Sequence, residues 1–214
     1  MSELADKLLG RFIVIDGPDG AGKGTQIGLL GQFLQDQGVS LCRVRDPGGT
    51  AVGDRIRQIL LDNRHGEMVV PCELMLYMAS RAQLAAEVIR PALAAGQCVL
   101  SDRYISSTIA YQGAGGADVD VIRQVARAAV GDAMPDLTII LDLDAELGLR
   151  RTAERQGKLD RMESKGAGFH RKVRQMFQRQ VQDDPAHCAM IDASGDIEAT
   201  QQLLRDLIAR WRWA

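Results

Sequence analysis

Residues 17–26 read GPDGAGKGTQ. Gly17, Gly20 and Gly22 are spaced so that successive backbone N–H groups can turn inward around phosphate oxygens, with Pro18, Asp19 and Ala21 completing the turn. Lys23 then places a point charge on the terminal phosphates of a bound nucleotide. A helix beginning at this point would aim its positive end at the same anion. In the usual pattern the residue after the lysine is Ser or Thr, whose hydroxyl holds Mg²⁺. Here it is Gly24, so the candidates for that duty are Thr25, one step further on, or a water molecule.

Such a loop works only between a strand and a helix, and the flanks supply both. RFIVID (11–16) is apolar and β-rich, and TQIGLLGQFLQDQG carries apolar residues at helical spacing and ends at Gly38. Similar apolar runs recur at 40–45, 97–102, 137–144 and 187–192. Helical patterns separate them, including one over 71–96 and another over 197–213. Near-continuous apolar strands alternating with helices predict an α/β fold: a five-stranded parallel sheet flanked by helices, with ligands at the carboxyl ends of the strands.

Composition narrows the function classes. A length of 214 residues allows one sizeable core, and no linker or repeat divides it, so the reading is a single domain over 1–214. The formal net charge of −2 argues against a general nucleic-acid binder. No apolar run reaches the ~18 residues of a membrane span, and the N-terminus does not resemble a secretory signal. The cysteines Cys42, Cys72, Cys98 and Cys188 are scattered without metal-ligand spacing and read as buried reduced thiols in the cytoplasm. His65, His170 and His187 have no evident partners and read as structural or solvent-exposed.

Charged and turn residues gather after three of the strands: the phosphate loop, RDPGGT (45–50) and DRYISSTIAYQG (102–113). With YMASRAQ (77–83), these stretches resemble the thymidylate kinases, in order and at suitable spacing, over most of the chain. The last stretch is the most specific; GKGTQ alone is shared with adenylate and other nucleoside monophosphate kinases. Asp46 departs from the Glu common in bacterial relatives.

The resemblance implies a phosphate-loop kinase fold and transfer of phosphate from ATP, with Mg²⁺, to dTMP, giving dTDP. It assigns Asp19 to the acceptor sugar's 3′-hydroxyl and to steering a cation such as Arg45. It also puts Tyr77 and Arg81 on the base, and Arg103 on the acceptor phosphate. Asp102 assists the metal or orders the site, and Ser107, Thr108, Tyr111 and Gln112 line the thymidine pocket. The basic segment at about 150–172 resembles the lid of the bacterial type, which supplies cations to the transferring phosphates. Its candidates are Arg151, Arg155 and Arg161, with Lys158 a weaker one. DASGD (192–196) falls where relatives place adenine, and relatives are homodimers.

The residue chemistry agrees with a phosphate acceptor. A phosphate monoester is largely a dianion at neutral pH, with a second pKa near ~6, so it needs no general base. It needs charge compensation, which Lys23, Arg81, Arg103 and the basic segment offer. The alternatives are a kinase for AMP or UMP/CMP, or a non-kinase nucleotide-binding switch.

Overall fold

The computed structural model describes residues 2–154 and 159–213. Two of the expected lid cations, Arg155 and Lys158, lie outside the described residues. Five strands form the sheet: β1 (Phe12–Asp16), β2 (Leu41–Arg45), β3 (Cys98–Asp102), β4 (Leu137–Asp142) and β5 (Cys188–Asp192). Every pairing is parallel and the order is β2-β3-β1-β4-β5. Each strand falls within its expected apolar run.

The helices are α1 (Glu3–Lys7), α2 (Lys23–Asp36), α3 (Ala51–Leu61), α4 (Val70–Leu84), α5 (Arg90–Ala94), α6 (Ile105–Ala114), α7 (Val119–Val130), α8 (Ala145–Glu154), α9 (Ala167–Asp183) and α10 (Ile197–Arg210). They cover both faces, as two-sided burial of a parallel sheet requires. Alternation along β1 shows the division. Ile13 and Ile15 join Leu30, Leu34 and Leu204 on one side; Phe12 and Val14 join Met78, Ile89 and Ile122 on the other. A third cluster, around Ile140, Val173 and Phe177, seats α9 against β4 and α6. Arg174 strengthens that seat by donating two hydrogen bonds to Asp142 at the end of β4, at 2.8 and 2.9 Å.

Register brings the site together. Ile15 of β1 lies opposite Asp102 of β3, which in turn lies opposite Arg45 of β2. The three expected chemical stretches therefore leave the sheet side by side.

Three expectations are modified. The helical pattern over 71–96 is broken by a π-helical turn, Ala85–Ile89, between α4 and α5. Pro91 explains the break, because it has no N–H to donate and its ring crowds the preceding turn. Of the basic segment at about 150–172, residues up to Glu154 belong to α8 and those from Ala167 onward to α9, where His170, Val173 and Phe177 are buried at helical spacing. The cysteines are free, but only Cys98 and Cys188 are buried; Cys42 is half-buried and Cys72 exposed.

Candidate active site

The phosphate loop leaves β1 and returns as the first turn of α2. Gly20 shows why the sequence must be glycine-rich here. Its φ is +80°, and a Cβ would strike the carbonyl oxygen of Gly148 in α8. The loop is anchored from behind by Asp16, which is wholly buried. Asp16 accepts from the Gly17 N–H at 2.8 Å, from the Ser106 hydroxyl, from the Ser107 hydroxyl at 2.7 Å and from Arg103 at 3.4 Å. The loop, the start of α6 and the residue after β3 thus share one carboxylate.

Lys23 donates to the carbonyls of Gly17 and Pro18, at 2.9 and 2.8 Å. Burial, reinforced by the neighbouring positive charge of Arg103, lowers its pKa to about 8.

Arg103 follows β3 with φ +67°, a left-handed conformation rare for a side chain of this size. Two hydrogen bonds hold it there: its N–H donates to Ile15 O at 3.1 Å, and the Ser101 hydroxyl donates to its carbonyl at 2.6 Å. The result is a guanidinium that reaches the loop, donating to Asp19 at 2.6 Å and to the Ser107 hydroxyl at 3.1 Å. Its plane also lies over the Tyr111 ring, 5.2 Å from the centroid. Burial opposes the charge of Asp19, but Arg103 and Lys23 outweigh it and hold the carboxyl below its ordinary range. Asp19 Oδ2 and the Tyr111 hydroxyl are buried with no bond to any other group, and the Tyr111 hydroxyl, as a donor toward Asp19, also helps to hold that carboxyl down.

In front of the loop is a cavity of about 530 Å³, large enough for small-molecule ligands. The expected residues Asp19, Gly20, Gly22, Lys23, Gly24 and Thr25 form its phosphate-loop end. Tyr77, Arg81, Thr108, Tyr111 and Gln112 also line the cavity, as do Asp102, Arg103 and Ser107. Gly17, Pro18 and Ala21 support the loop without lining the cavity.

Arg81 is 1% exposed. Its Nε donates to Asp46 at 2.6 Å and its Nη2 to Tyr104 O and Thr108 Oγ1, both at 3.0 Å. Burial pushes the Asp46 carboxyl up despite this partner.

Two expected residues are placed elsewhere. Arg45 is exposed and sits 3.6 Å from Asp54. Arg161 is buried against Glu73 and donates to Leu60 O at 2.8 Å; it does not itself line the cavity, although Asp160, Met162 and Glu163 beside it do. Arg151 does line the cavity and donates to Ala193 O and Ser194 O, joining α8 to the DASGD turn.

Sequence reasoning missed Asp16, Arg57 and His170. Arg57 of α3 lines the cavity and donates to Pro47 O at 2.9 Å. His170, read as unpartnered, is buried with Nδ1 3.9 Å from Asp19 Oδ2. Only Asp16 carried a signal, being a carboxylate at the end of an otherwise apolar strand. Among the described residues no group of three or more His, Cys, Asp or Glu is arranged to hold a metal. Asp102 and Thr25 both face the cavity. One carboxylate and one hydroxyl fit Mg²⁺, which keeps several waters and takes its other oxygens from phosphates.

A parallel sheet of this order, a phosphate loop at its centre and a cation-lined compartment beside it define the nucleoside monophosphate kinase fold. Within that class, the family model described as Thymidylate kinase matches residues 15–204. The chain belongs to the thymidylate kinase family. It is 45% identical over 198 residues to a thymidylate kinase from Exiguobacterium sp., covering 92% of this chain and 93% of that protein. It is 44% identical over 195 residues to one from Ectopseudomonas mendocina, covering 91% and 92%. The crystal structure of thymidylate kinase from Ehrlichia chaffeensis superposes with a TM-score of 0.76 at 29% identity, covering 94% of this chain and 98% of that one.

The depressed lysine makes a prediction about stability. Lys23 titrates at about 8 in the folded protein against an ordinary 10.5, so between those pH values the unfolded chain binds more protons. Stability attributable to Lys23 therefore rises with pH across that window. Denaturant unfolding of wild type and Lys23→Met, compared from pH 7 to 10.5, should show the difference moving in favour of wild type by up to roughly 3 kcal/mol. A pH-independent difference would mean that Lys23 is not depressed.

Proposed function

We propose that this protein transfers the γ-phosphoryl group of ATP to the phosphate of dTMP, yielding dTDP and ADP. The observation that carries this reading is Arg103. It is bound to the carboxylate of the phosphate loop, yet it stands between that loop and a compartment walled by Tyr77, Arg81, Tyr111 and Gln112. An arginine in that place serves an acceptor that is itself an anion. Family membership supports thymidylate as that acceptor.

In this reaction an oxygen of the acceptor phosphate attacks the γ-phosphorus, and the bond to the β,γ-bridging oxygen breaks, leaving ADP. The acceptor dianion needs no base, so the protein's contribution is positioning and charge. Lys23 leaves the loop carbonyls for the β/γ-oxygens, Arg103 holds the acceptor phosphate, and Arg57 and Arg151 add positive charge at the cavity wall. Asp102 and Thr25 would hold Mg²⁺ together with phosphate oxygens and water, and the ion would supply neutralisation of the donor's charge. Asp19 takes the sugar 3′-hydroxyl on Oδ2, and Tyr111 excludes a 2′-hydroxyl.

The same reading treats the chain as one domain with a lid at about 150–172, and the protein as a cytoplasmic homodimer. Support for association comes from the adjacent α3 and α4, around which Val52, Ile59, Val69 and Met75 are exposed.

A coupled phosphotransfer assay across dTMP, dUMP, dCMP, AMP and UMP tests the reading. dTMP should have the highest kcat/KM, with dUMP lower by about 10- to 200-fold for the missing methyl. AMP or UMP outperforming dTMP would defeat it. Arg103→Ala should raise the KM for dTMP by about 10- to 100-fold, the worth of a charged hydrogen bond, and leave that for ATP nearly unchanged. An effect confined to ATP would move Arg103 to the donor side.

A further inference from the structure

Glu73, in the first turn of α4, is 2% exposed and does not line the cavity. Its two carboxylate oxygens are nevertheless both engaged. Oε1 accepts from Gln112 Nε2 at 2.6 Å, and Oε2 pairs with Arg161 Nη1 at 2.5 Å. Arg161 is fixed in turn, its Nε donating to Leu60 O at 2.8 Å and its backbone N–H to Leu61 O at 3.3 Å, at the end of α3. Glu73 is thus clamped from one side and holds a cavity-lining side chain on the other.

The chemistry of that hold is directional. A primary amide can turn over and offer either its oxygen or its NH₂ group, and so can serve bases of opposite hydrogen-bonding polarity. A carboxylate paired with an arginine only accepts. Gln112 must therefore spend an N–H of its NH₂ group on Glu73, which fixes the sense of the amide and turns Oε1, its acceptor, away from that carboxylate.

We propose that Glu73 is a positioning residue that sets base selectivity through Gln112. This rests on the reading that the cavity takes a pyrimidine nucleotide. An oxygen at that wall matches the imide N3–H of thymine or uracil. Cytosine presents a lone pair at N3, so acceptor faces acceptor. A site built around one polar contact rejects the analogue that cannot make it far more strongly than a methyl-sized pocket does. With Glu73 neutral and able to donate, Gln112 could turn over and accept cytosine.

The variants are Glu73→Gln and the double variant Glu73→Gln/Arg161→Gln, which avoids leaving a buried arginine unpaired. The readout is kcat/KM for dTMP, dUMP and dCMP, alongside Tm. The preference for dTMP over dCMP should fall by about 10-fold or more. The preference for dTMP over dUMP should stay within about 2-fold of wild type, because both bases carry the imide. A merely structural role would lower all three substrates together. A folded variant that keeps the wild-type preference over dCMP, or loses both preferences alike, overturns the inference while leaving the thymidylate reading intact. A wild-type enzyme that does not favour dTMP overturns the parent reading, and this inference with it.

Discussion

Asp16 is wholly buried at the end of the central strand, and four donors converge on it. Removing a carboxylate from water is unfavourable unless its oxygens are satisfied, so Asp16 dictates where its partners stand. It fixes the first amide of the phosphate loop, the two serines that open α6, and the arginine after β3. A donor loop and an acceptor wall, from separate parts of the chain, are tied to one anion. The strained backbone of Arg103 is tolerable because Asp16, Asp19, Ile15 O and Ser101 all hold it in that conformation.

The same logic extends through the site. A kinase acting on a phosphate must keep cations close together before any phosphate arrives, and each cation needs a resident carboxylate meanwhile. Arg103 has Asp16 and Asp19, and Arg81 has Asp46; behind the cavity wall, Arg161 has Glu73. Lys23 relies on carbonyls, in a place where burial and Arg103 favour its neutral form. Doubly charged phosphate oxygens are the partners that relieve that strain. The buried pairs serve selectivity as well as charge storage: Asp46 turns Arg81, and Glu73 turns Gln112, so second-layer carboxylates decide which atoms the cavity presents.

The sheet was legible because two-sided burial leaves long apolar runs, and Phe12–Asp16, Leu137–Asp142 and their neighbours are such runs. The phosphate loop was legible because its glycines and lysine are contiguous. What stayed hidden depends on contacts between distant residues. Arg57 lines the cavity from α3, which Thr50 caps, and is tied to the RDPGGT turn by its bond to Pro47 O. The fate of Arg161 was equally unreadable. Its basic surroundings resemble a phosphate-seeking segment, but its partner Glu73 lies 88 positions earlier, on α4. The start of α9 was obscured by its glycines and charges, although His170, Val173 and Phe177 keep helical spacing there.

The central claim is that one buried carboxylate assembles donor and acceptor halves together. Asp16→Asn tests it most directly, because Asp16 sits behind the cavity wall rather than on it. Calorimetric titration of the folded variant with dTMP and, separately, with an ATP analogue is the measurement. The account predicts that both affinities fall, dTMP by about 10-fold or more, as expected when hydrogen bonds to a buried charge are lost. Wild-type affinity for dTMP in a correctly folded Asp16→Asn protein would contradict it.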